Sequence, residues 1–377
     1  MIKRPAFFLK LSVMAVLLAF LCTLGFQPEG AGAAAEARQL TLEECIDLAL
    51  QNNPQVKLAE LGRDKAAVTL RQARDTARGI DLYNPPSYVL GVQSAYDLAK
   101  LKLVVPRQAQ SAMDIAETVY ATRINGLKVS VEKNYYDLIK ARRSVVISQD
   151  KLQRAQEQLR IAKTRFDVGT TARSEVLDAE TRVAQAEAAL ITARSQDEVA
   201  RVALNQVIGL PEDTPVVPVT EFTFEESAVD LAAAIDEALR SDLSVIQARE
   251  NSQTKQYELE VAANYYPSNV PTYKLAEIAN QEAQLNLTQA EDALRLRVRQ
   301  AHSNLLAAGE QVKVLEKSLE MARENARLAS LRYEYGLGTS IESMNASGAL
   351  AETEAAYLEA LYNYNLAKSR FKYNIFS

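Results

Sequence analysis

The stretch Arg165-Phe166-Asp167-Val168-Gly169 decides the fold, because it has the features of a helix end and recurs as Arg332-Tyr333-Glu334-Tyr335-Gly336. An apolar seam precedes each copy, with steps that alternate between three and four residues, as in a coiled coil. The seam residues are Leu152, Ala155, Leu159, Ala162 and Phe166 in the first copy, and Leu319, Ala322, Ala326, Ala329 and Tyr333 in the second. Glycine adopts the positive φ that reverses a chain at a helix end. Each stretch therefore predicts the turn of a helical hairpin.

The seam resumes after each glycine, which predicts the second helix of each hairpin. Its residues are Val176, Ala179, Val183, Ala186, Leu190, Ala193, Ala200 and Leu204, and then Ala346, Leu350, Tyr357, Ala360, Ala367 and Phe371. Alanine at many of these positions lets two helices approach closely. The first helix of each hairpin is long, since residues 124–166 alone would span roughly 60 Å. We expect a mainly α fold with two tandem repeats of long coiled-coil hairpins.

The opening of the repeat is also duplicated, since residues 42–50 match residues 231–239. The two openings lie 189 residues apart and the two glycine turns 167 apart, so the second copy is 22 residues shorter. Prolines between the copies exclude a helix and favour an extended connector. The expected organisation is a first hairpin repeat at 36–210, a Pro-rich linker at 211–229 and a second hairpin repeat at 230–377.

The first 35 residues have the features of a secretory signal peptide. Basic residues precede an apolar run at 11–26, and small residues at 31–35 offer cleavage points. A retained membrane anchor is the alternative, but Thr23, Gly25 and Pro28 interrupt the run at about the length of a signal-peptide core. We therefore expect residues 1–35 to be a signal peptide and the protein to be exported.

Composition argues against several classes of function. Asp and Glu number 48 against 43 Lys and Arg, for a net charge of −5, whereas a nucleic-acid partner would call for a basic face. His302 is the single histidine, and Cys45 is the only cysteine beyond the signal segment, so neither a transition-metal site nor a catalytic triad is expected. Cys45 is interpreted as a small buried hydrophobe. We expect no enzyme activity, no cofactor, no metal and no nucleic-acid partner.

The chain resembles the TolC-like outer-membrane efflux proteins in four stretches that occur in the family's order. These are residues 40–54, the two glycine turns at 165–171 and 332–340, and residues 175–179. The resemblance implies a homotrimer in which each protomer contributes two repeats to an elongated α-barrel. It also implies that the turns lie at the tunnel tip, where a periplasmic adaptor protein of an inner-membrane transporter docks. The residues carried over to that role are Arg165, Val168, Gly169, Thr170, Arg332, Gly336 and Leu337.

Acidic residues follow each glycine turn and allow two interpretations. Glu175 and Asp178 match acidic tip positions of the family, and their counterparts in the second copy are Glu342 and Asn345. Around a trimer axis, Glu175, Asp178 and Glu342 would form a ring at the tunnel entrance that favours cations. The alternative is that they are solvated acids of a first helical turn, stabilised by the helix dipole.

The chain departs from the family where other members insert pairs of membrane-spanning β-strands. Two such strands and their loop need roughly 25 residues. The second interruption, at 264–271, is too short for them, whereas the first, at 79–107, offers weak candidates at 87–92 and 102–105. Residues 97–100 between these candidates have a helical pattern. We expect the β-barrel strands to be short or absent, which leaves insertion into the outer membrane open.

The repeat pattern and the resemblance lead to two hypotheses about function. The leading hypothesis is a passive envelope duct of a tripartite efflux or type I secretion-like export system, located at the outer membrane or in the periplasmic space. The alternative is a structural or interaction coiled-coil protein of the envelope that has no barrel and no transport activity. A transporter gene and an adaptor gene beside it in the genome would favour the duct.

Overall fold

The computed structural model describes residues 38–83, 94–220 and 223–376. The predicted signal peptide and the candidate strand at 87–92 lie outside these residues. The described elements are, in chain order, β1 (Arg38–Leu40), α1 (Leu42–Asn52), α2 (Pro54–Arg78), α3 (Ala95–Ala99), a π-helical segment (Lys100–Val104), α4 (Val105–Asp167), α5 (Arg173–Ile208), β2 (Val216–Pro218), α6 (Leu231–Ser241), α7 (Leu243–Ala263), α8 (Pro271–Glu334) and α9 (Ser340–Lys372).

Two long helical hairpins dominate the molecule and confirm the predicted fold class. Helices α4 and α8 contain 63 and 64 residues, so each is roughly 95 Å long at the helical rise per residue. Helix α5 returns along α4, and α9 returns along α8. Helix α4 also packs against α9, so the hairpin helices lie side by side in the order α5, α4, α9, α8.

Capping residues explain where several helices begin. Thr41 and Thr339 each accept a hydrogen bond from the backbone of a glutamate three residues later, and that glutamate bonds back to the threonine N–H. These reciprocal bonds satisfy amide groups that a helix start leaves without partners. Asn53 caps α2 ahead of Pro54, and the side chain of Asp242 caps α7. Proline is accepted at a first turn because no intrahelical partner is needed there.

Most residues of the predicted seams are buried or half-buried between the paired helices, although Phe166 is exposed. Ala162 and Ala186 lie in the first hairpin, whereas Leu319, Ala326 and Leu350 form one cluster in the second. Small and large side chains alternate along these contacts, which allows close coiled-coil packing. The N-terminal helices add a separate core in which Cys45 is fully buried, as predicted. Burial raises the pKa of its thiol to about 12.

The chain between the repeats is held on the hairpins by side-chain hydrogen bonds. The Tyr135 hydroxyl of α4 donates to the Leu40 carbonyl at 3.0 Å and accepts from the Val219 and Thr220 amides at 3.0 and 2.9 Å. On α9, the Tyr364 hydroxyl donates to the Glu225 carbonyl at 2.7 Å. Strands β1 and β2 pair in parallel, so the start of the chain and the connector are joined.

Residues 95–107 of the first interruption are helical, which corrects one prediction. Residues 102–105 do not form a strand, because they complete the π-helical segment and begin α4. The buried side chain of Val104 packs with Ala99 and Val261, a contact that suits a short helical turn. A run of four apolar residues cannot by itself distinguish a strand from a buried helix. Residues 97–99 lie in α3, in agreement with their helical pattern.

The second interruption, residues 264–270, consists of turns and contains no strand. Within the described parts of the chain, none of the helices has both the length and the apolar content needed to cross a membrane.

Candidate functional site at the two hairpin tips

The two glycine turns have the same backbone geometry. Gly169 and Gly336 have φ values of 74° and 73°, in the left-handed region. In the first turn, the Thr170 amide donates to the Arg165 carbonyl at 2.9 Å and the Gly169 amide donates to the Phe166 carbonyl at 2.9 Å. This pair of bonds is the Schellman motif, which satisfies the last carbonyl groups of a helix.

The second turn repeats this pattern. The Leu337 amide donates to the Arg332 carbonyl at 2.7 Å, and the Gly336 amide donates to the Tyr333 carbonyl at 3.1 Å. A side chain at either glycine would have open space, since a Cβ added at Gly169 or Gly336 would meet nothing within 4 Å. The requirement for glycine at both turns is therefore conformational.

Arg165 joins the two tips. Its guanidinium lies over the Tyr333 ring, 4.2 Å from the ring centre, and its Nη2 donates to the Tyr333 carbonyl. Tyr333 is buried, so the cation–π contact is partly shielded from water. A cation beside the last carbonyls of α8 is also favoured by the helix dipole. The two hairpins are therefore coupled at their turns, as well as along their length.

Apolar side chains project from both tips. Val168 is 68% exposed in the first turn, and Leu337 is 73% exposed in the second. Tyr335 and Ile341 are also exposed beside the second turn. Thr170 and Arg332 are exposed as well, whereas Arg165 is half-buried. The structure thus places the predicted tip residues at two neighbouring turns, where Val168 and Leu337 carry apolar groups into solvent.

The acidic candidates have different surroundings. The Glu175 carboxylate accepts a hydrogen bond from the Thr171 hydroxyl at the start of α5. Glu342 accepts from the Thr339 amide at 3.2 Å, as part of the capping box of α9. Asp178 is exposed on α5. Glu175 and Glu342 therefore have local helix-start roles in the protomer, and these roles leave their carboxylates near the two tips.

Sequence reasoning missed the role of Tyr333. Its place in the seam was predicted, and its counterpart Phe166 is also aromatic, but the periodicity gave no sign that it would meet Arg165 of the other repeat. Burial raises the pKa of Tyr333, and the nearby Glu175 carboxylate adds to that rise. Among the residues that the structure describes, no group of three or more His, Cys, Asp and Glu side chains is placed to hold a metal ion.

Comparison with known families gives one match. The family model of the outer membrane efflux proteins matches residues 79–210 and 268–371, which together are more than half of the chain and include both glycine turns. A sequence comparison with curated proteins gave no match.

Several solved structures share the fold. The outer membrane protein VceC of Vibrio cholerae superposes with a TM-score of 0.68 at 16% identity, over 86% of this chain and 94% of VceC. The channel CusC gives a TM-score of 0.69 at 14% identity, over 92% of this chain and 94% of CusC. The CmeC outer membrane channel of Campylobacter jejuni gives 0.63 at 15% identity, over 88% and 84%.

The family match confirms the resemblance that the duplicated turns indicated, and it assigns the protein to the outer-membrane region of the cell envelope. The family is one of passive efflux ducts. The chain belongs to the outer membrane efflux protein family.

Proposed function

We propose that the protein is the duct of a tripartite export system: a homotrimer that receives cargo from an inner-membrane transporter through a periplasmic adaptor. In this proposal the two glycine turns of each protomer form the adaptor-docking end. The observation that carries it is the pair of exposed apolar side chains at adjacent turns, Val168 and Leu337.

The tips suit a docking role because they combine exposed apolar groups with a rigid backbone. Both turns are closed by Schellman bonds, and Arg165 fixes one turn against the other. A preorganised surface loses little conformational entropy when a partner binds. Exposed apolar side chains at a fixed turn can therefore act as anchors in a partner's pocket.

Exposed apolar residues along the outer helices support self-association. Helix α8 carries many of them, and α5 carries a few more. They are Leu275, Ile278, Leu285, Leu296, Leu306, Val314, Met321 and Leu328 on α8, and Ile191 and Val199 on α5. Helices α5 and α8 are the two outer members of the four-helix layer, so they are the helices that neighbouring protomers would meet. Contact between them would remove these side chains from water.

The docking proposal is tested by binding of a periplasmic adaptor protein from the same cell, measured by biolayer interferometry. We expect the double variant V168E/L337E to bind at least about ten-fold more weakly than the wild type, because two apolar anchors are replaced by solvated charges. The matched control is the double variant L58E/L61E, which places the same number of charges at two exposed leucines of α2 away from the turns. Equal affinities for the tip variant and the control would contradict the docking role.

A further inference from the structure

A basic groove lies on the hairpin layer, away from the tip turns. We define it by Lys151 and Arg154 of α4, Arg182 of α5 and the Ser347–Ala349 segment of α9, which line one half-open cavity of about 360 Å³. It crosses three helices, so its cations come from different parts of the chain. A cavity of this size accommodates a small molecule.

Arg154 is the deepest cation of this groove. Its Nε and Nη2 atoms are buried and have no hydrogen-bond partner among the residues that the structure describes. A guanidinium carries its donors in a fixed planar fork, and burying them without an acceptor is costly. This arrangement is stable when an anionic group supplies the acceptors.

The flanking cations are also without ion-pair partners in the described part of the chain. Neither Lys151 nor Arg182 lies within 4.0 Å of a described carboxylate, whereas Arg160, Lys163 and Arg327 are each paired. Arg160, two turns along the same helix, bonds Glu157 at 2.6 Å, and Arg327 bonds Glu324 at 2.7 Å. Three cations and one carboxylate line the groove, so it is locally basic in a chain with an excess of acidic residues.

The rest of the groove leaves room for a ligand. The middle of the α9 wall, Ser347–Ala349, has small side chains, and a Cβ added at Gly348 would meet nothing within 4 Å. The amide side chains of Gln185 and Asn345 line the groove and can donate further hydrogen bonds. Glu352 is the one carboxylate of the lining, and it forms no ion pair with the three cations, so the groove keeps an excess of positive charge.

We propose that the basic groove is a binding site for a small multivalent oxyanion of the carboxylate or phosphate class. Arg154 anchors the ligand through its buried Nε and Nη2 donors, in the bidentate geometry that suits these groups. Lys151 and Arg182 add charge at the rim of the groove. The site is independent of the tips and does not require the adaptor.

The test uses the full assembled protein, with citrate and inorganic phosphate as probes, in isothermal titration calorimetry at low salt. Sodium chloride at matched ionic strength controls for general screening. We expect saturable binding of citrate or phosphate to the wild type. Arg154→Gln should weaken it about ten-fold or more, and Arg154→Lys, which keeps the charge but loses the fork, should weaken it less.

Arg160→Gln is the matched control, since it makes the same change on the same helix at a cation that already has a partner. A double variant, K151Q/R182Q, tests the rim without altering Arg154. A second titration uses a glutamate-rich helical peptide in place of the free anions, and the same peptide with glutamine in place of glutamate is its control. This titration distinguishes binding of a protein side-chain carboxylate from binding of a small free anion. Peptide binding without citrate or phosphate binding overturns the small-molecule assignment.

The proposal is also overturned if neither free anion binds the wild type beyond the sodium chloride control, or if Arg154→Gln binds them as tightly as Arg160→Gln does. Circular dichroism of each variant identifies any that fails to fold. If Arg154→Gln does not fold, the Arg154→Lys and K151Q/R182Q proteins replace it in the test, and wild-type affinity of both for the two anions overturns the proposal.

Discussion

At the scale of single residues, the tip turns depend on Gly169 and Gly336. Both have φ values near 74°, which cost an L-residue with a side chain roughly 1–2 kcal/mol. We expect Gly169→Ala and Gly336→Ala each to lower the free energy of unfolding by about that amount. Chemical denaturation followed by circular dichroism measures the change.

Gly126 provides a control of opposite sign. It lies inside α4, and a Cβ there would meet nothing within 4 Å. Gly126→Ala should therefore raise the free energy of unfolding by roughly 0.5–1 kcal/mol, because alanine is the better helix former. Stability losses of the same size for all three substitutions would contradict the assignment of the turns.

Arg165 supplies a second test at this scale. Removing its guanidinium takes away a cation–π contact and a charged hydrogen bond to Tyr333, together worth roughly 1–3 kcal/mol. Arg165→Gln should therefore speed amide hydrogen exchange in both turns by about ten-fold or more, as those segments open more readily.

Arg160→Gln is the comparison for that measurement. Its pair with Glu157 is exposed and screened by water, so it contributes little, and exchange at the turns should stay close to that of the wild type. If Arg165→Gln and Arg160→Gln gave the same exchange rates at residues 333–337, the two tips would not be coupled through Arg165.

The residues of the tips could be found from the sequence, but their contacts could not. Gly169 and Gly336 stand out because they interrupt a duplicated seam, and a glycine there needs only local backbone geometry. The contact of Arg165 with Tyr333 joins residues 168 positions apart, and no periodicity within one repeat specifies it. The same holds for the basic groove, whose cations come together only when α4, α5 and α9 pack.

At the scale of elements, the start of α1 is sensitive to pH. The Thr41 amide and hydroxyl hold the pKa of Glu44 below its usual value of 4.5, because both donate to its carboxylate. A carboxyl with a lowered folded-state pKa stabilises the fold above its unfolded pKa, and that contribution is lost as the pH falls through the folded value. Glu44→Gln should therefore unfold at a lower denaturant concentration than the wild type at pH 7, and the difference should shrink as the pH falls below 4.5.

Glu43 is the matched control for this test, because it is the neighbouring exposed acid of the same first turn and takes no part in the capping box. Glu43→Gln should leave the wild-type denaturation midpoint almost unchanged at pH 7. A difference between Glu44→Gln and the wild type that persists undiminished as the pH is lowered well below 4.5 would show that the carboxylate does not act through the cap.

The helices themselves were largely predictable, because a seam of threes and fours over several heptads has one structural solution. The lengths of the helices were less predictable. Helix α4 begins at Val105, although Pro106 in its first turn could have been taken as a helix breaker. Proline in a first turn does not end a helix, because the N–H group that it lacks would have no intrahelical partner at that position. The attachment of the connector to the hairpins through Tyr135 and Tyr364 was not predictable. A tyrosine at helical spacing is interpreted as a core residue, and the spacing does not indicate what its hydroxyl group will contact.

At the scale of the whole molecule, the protomer is a layer of four hairpin helices with apolar side chains left exposed on its outer members. A layer of this kind has two open edges, α5 and α8. Side-by-side association of protomers joins one protomer's α5 to its neighbour's α8, and a closed ring of such contacts makes a tube with the six glycine turns of a trimer at one end. The seam pattern of the sequence predicts which helices form the two edges. It does not predict the number of protomers in the ring, because that number depends on the angle at which the edges meet.

The central claim, that protomers close into a duct, is tested most directly by single-particle electron microscopy of the purified full-length protein. We expect a three-fold symmetric hollow tube whose wall consists of paired helices, with a length that matches α4 and α8 at roughly 95 Å or more. Separate rods of one protomer, or side-by-side sheets that never close, would contradict the account.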